Sequence, residues 1–132
     1  MQKTLIKPDP LDDPHAVGMS QAVIDLPSGL VFVSGQVDWN DQQQVSSPSI
    51  PSQLTRALEK LKATLEEAGA SVATLLQVRI YVRGELEDHM ETIVPILAHF
   101  LGDSRPAVTG IGVASLASRA TLVEVEAVAR AN

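Results

Sequence analysis

Residues Arg105 to Ala129 read RPAVTGIGVASLASRATLVEVEAVA, and the two β-type runs in this stretch decide the fold. Ala107 to Ala114 forms the first run and Thr121 to Ala129 the second, joined by a polar bend at Ala117-Ser118-Arg119. Strand alternation puts Val123, Val125, Ala127 and Ala129 on one face, and Leu122, Glu124, Glu126 and Val128 on the other. Carboxylates two residues apart on one strand face stand roughly 7 Å from each other. In the first run Val108, Gly110, Gly112 and Ala114 share a face almost free of side chain. Glycines at alternate strand positions mark a close approach. The bare strip and the carboxylate pair together predict a pocket.

Working outward, a helix from Glu87 to Leu101 precedes this stretch, with Met90, Val94, Leu97 and Leu101 as its apolar stripe. Pro95 inside it removes a hydrogen bond and is expected to kink it. Leu76 to Arg83 alternates, with Leu76, Val78, Ile80 and Val82 on one side and Gln77, Arg79, Tyr81 and Arg83 on the other. The helix from Ser52 to Ala68 has the clearest pattern. Leu54, Leu58, Leu61, Leu65 and Ala68 recur at steps of three and four, with Pro51 in the first turn, Ser49 or Ser52 as cap and Gly69 as stop. Its other face, with Arg56, Glu59, Lys60, Lys62, Glu66 and Glu67, reads as solvated.

Asp38 to Pro51 reads as a surface loop. Ser20 to Leu26 and Leu30 to Gln36 form a hairpin across Pro27-Ser28-Gly29. Gln2 to Ile6 is a short edge strand, and Pro8 to Pro14 a loop. The order is β-β-β-α-β-α-β-β in one domain spanning residues 1–132, an α+β fold with a mixed sheet of about six strands and two helices on one face. The second sheet face then gathers Gln77, Arg79, Tyr81, Glu124 and Glu126 beside Gly110 and Gly112, and leaves Leu122, Val128, Tyr81 and Phe32 or Val33 in water. A closed homo-oligomer in which these second faces meet resolves that exposure.

Composition narrows the function classes. The chain has no cysteine, so disulfides, thiolate metal sites and a cysteine nucleophile are excluded. A net charge of −6, scattered basic residues and only four aromatic side chains (one Trp, one Tyr, two Phe) argue against nucleic-acid binding. No apolar run reaches the length of a membrane span, and MQKTLIKPDPLDDP lacks a signal-peptide core, so a cytoplasmic protein is expected.

SQAV at Ser20 to Val23, VFVSGQV at Val31 to Val37 and RPAVTGIGVASL…LVEVEAVA at the C-terminus resemble the YjgF/RidA family over nearly the whole chain. Ala68-Gly69-Ala70 followed by VATLLQVRIYV fits the family's pattern there as well. The resemblance implies a chorismate-mutase-like subunit in a homotrimer, with a small-metabolite site in each inter-subunit cleft. It further implies hydrolysis of reactive enamines and imines to the carbonyl compound and ammonia, with neither metal nor organic cofactor. Carried over position by position, it makes Glu124 the glutamate that places the attacking water, and Ser34-Gly35 the loop whose backbone meets the ligand. Two positions depart from the family. Its active members have Pro-Ala-Arg, whose arginine grips the substrate carboxylate, where this chain has Pro106-Ala107-Val108. A guanidinium matches a carboxylate bidentately and a valine does not. Near Gly18, Met19 replaces a frequent tyrosine.

For each residue a plainer role stands beside the chemical one. Glu124 either orients water for attack on a C=N carbon or pairs across strands with Arg79 or Arg83. Glu126 reads as part of a structural pair. Val108 marks either a site retuned for uncharged or bulkier substrates, or one that binds without turnover. Arg119 either enters the cleft in place of the missing arginine or stays in solvent at its turn, while Arg105 faces away. His15, His89 and His99 lack metal-ligand spacing, and Ser34 lacks the G-x-S-x-G context of a nucleophile. The leading function is imine or enamine deamination with a preference altered by Val108. The alternative is a non-catalytic trimer holding small ligands in its clefts. RNA cleavage, reported for some relatives, is disfavoured by the acidic balance.

Overall fold

The computed structural model describes residues 2–7 and 18–132. The expected loop at Pro8 to Pro14, and His15, lie outside them. Among the described residues six strands and two α-helices follow in order: β1 Lys3–Ile6, β2 Ala22–Asp25, β3 Leu30–Gln36, α1 Ile50–Glu67, β4 Leu75–Arg83, α2 Met90–Leu101, β5 Ala107–Val113 and β6 Val123–Arg130. They form one mixed sheet in the order β1-β2-β3-β6-β4-β5. Only β4 and β5 are parallel; every other neighbouring pair is antiparallel. The last strand of the chain therefore lies inside the sheet, between β3 and β4.

α1 forms as its leucine spacing dictates. Ser49 caps it, accepting from the Ser52 amide at 3.3 Å, and Pro51 occupies the first turn. Leu54, Leu58, Leu61 and Leu65 are buried against Val31, Val78, Val82, Val123 and Val125. α2 differs from expectation. Its first turn, Leu86–His89, is a separate 3-10 turn, and the helix buries Ile93 while Ile96, Leu97, Phe100 and Leu101 pack on the core. Met90 and Val94 are exposed, which shifts the apolar stripe around the helix by about one position. The short helix lies beside α1, so side chains aimed at α1 and the sheet are covered and those on its outer side are not.

The loop before α1 is not merely a solvated surface loop. Asp38 is fully buried, with one carboxylate oxygen 2.8 Å from Nε of Arg56 and the other accepting from the Ser47 amide at 3.1 Å. Buried Gln53 donates to the carbonyls of Ser47 (2.8 Å) and Ala120 (3.0 Å), and accepts from the Leu122 amide (2.8 Å). The Trp39 indole donates to Thr121 Oγ1 at 2.9 Å. These bonds tie the loop and the β5–β6 connection to α1. Each buried polar atom that gains a partner this way avoids a penalty of about 1–3 kcal/mol.

The glycine strip has a different purpose from the one its spacing suggested. Val78, Ile80 and Val82 pair in parallel register with Val108, Gly110 and Gly112, so those three face the helices, away from Glu124 and Glu126. A Cβ at Gly112 would stand 2.5 Å from the Gly84 carbonyl oxygen, and one at Gly110 would stand 3.0 Å from Leu86 Cδ2. The strip admits the chain's own turn out of β4, where Gly84 has φ +100°. No ligand is needed to explain it.

Candidate functional site

On the open face of the sheet, β6 presents Glu124 and Glu126, β4 presents Arg79 and Tyr81, and β3 presents Phe32, Ser34 and Gly35. Tyr81 lies directly opposite Glu124, and Arg79 opposite Glu126. On the other side of β6, Val33 pairs with Ala127 and Gln36 with Val125. Ser34 and Gly35 together therefore face the single residue Glu126, which is a β-bulge. Val33 and Gln36 are both buried although three residues apart, because the bulge reverses the alternation. Its shape is held from the side. Ser34 Oγ donates to the Ser20 carbonyl at 2.6 Å, and Gln36 Nε2 donates at 2.9 Å to both Gln21 Oε1 and the Ser34 carbonyl.

Gly35 is small because Glu124 lies across it. A Cβ there would be 2.6 Å from Glu124 Cδ and 2.8 Å from Oε2. Among the described residues the Glu124 carboxyl has no hydrogen-bond or ion-pair partner. Burial, and then the nearby charge of Glu126, push its pKa above the ordinary glutamate value. Glu126 is tied instead. The Tyr81 hydroxyl donates to Glu126 Oε1, and Nη1 of Arg79 stands 3.6 Å from the same oxygen. The hydrogen bond to Glu126, together with burial, raises the Tyr81 phenol. Arg83 is engaged elsewhere, donating from Nε to the Thr121 carbonyl (3.1 Å) and from Nη2 to the Ser118 carbonyl (2.7 Å). The cross-strand ion pair expected for one of the two glutamates thus belongs to Glu126. A half-buried carboxyl whose pKa is raised is better suited to exchanging a proton than an ordinary surface glutamate.

The other expected site residues divide. Met19, 66% exposed, precedes Ser20, whose carbonyl holds Ser34, so it lies beside the bulge. Val108, 44% exposed, sits on edge strand β5, two strands from β6 or about 10 Å sideways, and faces the opposite side of the sheet from Glu124. One chain alone does not bring the two together. Arg119 is exposed in the turn before β6, with no partner among the described residues. Arg105 donates to the carbonyls of Gly102 (2.6 Å) and Ser104 (2.9 Å), and so closes the end of α2. Tyr81 and Gln36 are site residues that the sequence does not single out, and Arg79, expected as a partner for Glu124, meets Glu126 instead. The parity of β4 hints at Tyr81 and Arg79, but only the register shows which glutamate they meet. Among the described residues no three His, Asp or Glu side chains gather as a metal site. No helix there is long and apolar enough to cross a membrane.

Comparison with known proteins agrees with this geometry. The family model described as Endoribonuclease L-PSP matches residues 12–131. A RutC family protein of Pyrococcus abyssi is 30% identical over 117 residues, covering 88% of this chain and 89% of that protein. A protein of Dermatophagoides farinae named 2-iminobutanoate/2-iminopropanoate deaminase is 26% identical over 117 residues, covering 87% and 88%. The crystal structure of a YjgF/YER057c/UK114 family member from Mycobacterium tuberculosis superposes with a TM-score of 0.82 at 29% identity, covering 97% of this chain and 98% of that one. The six-stranded mixed sheet, the two helices on one face and the match over nearly the whole length lead to one conclusion: this chain belongs to the Endoribonuclease L-PSP family, the YjgF/RidA proteins.

Proposed function

We propose that this protein hydrolyses small imines or enamines to the carbonyl compound and ammonia, with Glu124 as the working carboxyl and Val108 steering it away from carboxylate-bearing substrates. The observation that carries the reading is Glu124 itself: half-buried over Gly35, without a partner among the described residues, and with its pKa raised. The chemistry balances on that one group. Glu124 gives its proton to the imine nitrogen, and the resulting iminium carbon becomes electrophilic. The carboxylate then takes a proton from the attacking water, leaving a carbinolamine. A second exchange puts a proton on nitrogen, breaks the C–N bond and returns the hydroxyl proton to Glu124. One imine and one water thereby become one carbonyl compound and one ammonia, with Glu124 protonated as at the start. General acid–base help of this kind contributes about 10²–10⁴-fold.

The name of the Dermatophagoides relative supports the reaction class. Val108 and Glu124 lie on opposite faces of the sheet, so a cleft using both needs a second copy, which supports a homotrimer with sites between subunits. The open-face side chains Phe32, Tyr81, Ile111 and Val128 supply the apolar surface for that contact. A valine where a carboxylate-gripping arginine is expected favours an uncharged substrate. The same valine favours the second reading, a cytoplasmic trimer that binds small metabolites without turning them over. Net charge −6 speaks against RNA as the substrate.

The test generates 2-imino acids with an amino-acid oxidase and uncharged imines with an amine oxidase, and follows imine loss. Wild type is expected to accelerate loss of the uncharged imine, Val108→Arg to shift the preference toward 2-imino acids, and Glu124→Ala to abolish both. Activity surviving Glu124→Ala removes the mechanism; no activity in any variant leaves the binding reading.

A further inference from the structure

We propose that Tyr81 and Arg79 anchor Glu126 as a positioning residue for Glu124, holding its carboxyl in place beside the working group so that the two glutamates differ in role. The inference rests on reading Glu124 as the working group, but the observations behind it are independent of turnover. Glu124 and Glu126 share one face of β6, roughly 7 Å apart by strand rise. Tyr81 is the direct cross-strand neighbour of Glu124, yet its hydroxyl reaches diagonally to Glu126. Arg79 points to the same Glu126 oxygen at 3.6 Å.

Among the described residues, the nearby side-chain donors are engaged away from Glu124. The Ser34 hydroxyl goes to the Ser20 carbonyl, and the Gln36 amide to Gln21 and the Ser34 carbonyl. Arg83 goes to backbone carbonyls of the β5–β6 connection. Among the described residues, the titratable or charged groups facing Glu124 are thus Arg79, Tyr81 and Arg83 on β4 and Glu126 on its own strand; the bulge of β3 contributes none. A carboxyl with a like charge beside it, partial burial and no donor keeps its proton more readily. This arrangement also explains why the two glutamates, alike in sequence context, differ in role.

The experiment is a pH titration of the Glu124 side-chain carboxyl by NMR on carbon-13-labelled full-length protein, in wild type, Glu126→Gln and Arg79→Met. Glutamine can still accept from Tyr81, so Glu126→Gln removes charge while keeping the contact. It is expected to lower the Glu124 midpoint. Arg79→Met leaves Glu126 without its counter-charge and is expected to raise it. Glu126→Asp, which restores a charge, should bring the midpoint back toward wild type. Where imine hydrolysis is measurable, the alkaline limb of the pH–rate profile should move with the midpoint, costing up to about tenfold in rate for each pH unit beyond it. An unchanged midpoint in Glu126→Gln, or shifts of the same sign in both variants, overturns the proposal. Absence of imine hydrolysis in wild type counts against the proposed reaction alone, because the titration is read without substrate.

Discussion

Replacing Gly35 by alanine tests the site most directly, because the added methyl meets Glu124 first. The new Cβ would lie 2.6 Å from Glu124 Cδ, 2.8 Å from Oε2 and 2.9 Å from Cγ. Unstrained carbon contacts lie at about 3.5–4.0 Å, so the carboxyl has to retreat by roughly 1 Å. The obstructing atoms are the far end of a flexible side chain, so the strand itself need not move. Gly35 is not among the glycines with positive φ, and an alanine there restricts the unfolded chain, worth about 0.4–1 kcal/mol in favour of folding. Stability is therefore expected to change little, while a misplacement of about 1 Å in a working group costs about 10²-fold in kcat/KM, or roughly 2.7 kcal/mol. Urea unfolding followed by the fluorescence of Trp39, the single tryptophan, gives the first quantity, and imine hydrolysis the second. In a Glu124→Ala background the same substitution should have no further effect on rate, since the residue it displaces is gone. Displacement toward water should also bring the Glu124 titration back toward an ordinary glutamate. Full activity with an unmoved titration in Gly35→Ala would refute the placement of Glu124 over the bulge.

Gly112→Ala provides the contrast: its methyl would stand 2.5 Å from the Gly84 carbonyl oxygen, which is backbone and cannot yield, so a loss of about 1–3 kcal/mol is expected in urea unfolding. Gln53→Ala strips partners from the Ser47 and Ala120 carbonyls and the Leu122 amide, and should cost about 2–4 kcal/mol and loosen the β5–β6 connection, read by hydrogen exchange of Leu122. The raised pKa of Glu124 has a consequence for stability as well. The folded state holds its proton more tightly than the unfolded state, so wild type loses stability as pH rises from the ordinary glutamate value of 4.5 through the raised folded value. Glu124→Gln should remove that component and be relatively more stable above the window than below it. Equal pH slopes for the two proteins would show that folding does not raise the Glu124 pKa.

Much of the fold is legible in the sequence because it depends on local periodicity. The leucine spacing of α1, the turn between β2 and β3 and the alternation of β6 all survive in the structure as read. Where the reading fails, a bulge or a distant partner intervenes. Alternation places Leu76 with Val78, Ile80 and Val82, yet Leu76 is 43% exposed and Leu75 is buried, because the register with β6 shifts between Leu75 and Gln77. One extra residue in a strand inverts the parity of everything before it. The glycine strip fails for a related reason: its alternation is right, but its face depends on how β5 is registered against β4.

The candidate site divides along the same line. Sequence alone determined that two carboxyls share a face of the last strand, that Ser34-Gly35 is a candidate backbone site and that valine stands where the family's arginine is expected. Tertiary structure decided which carboxyl is anchored and which has no partner among the described residues. β6 enters the sheet between β3 and β4, so Glu124 receives a glycine bulge on one side and an engaged tyrosine on the other, while Glu126 receives Tyr81 and Arg79. Spacing along a chain defines which side chains share a face, since that is set by backbone geometry within a few residues. Which donors they meet is set by the pairing of strands far apart in sequence, Tyr81 with Glu126 among them, and no local pattern encodes that choice.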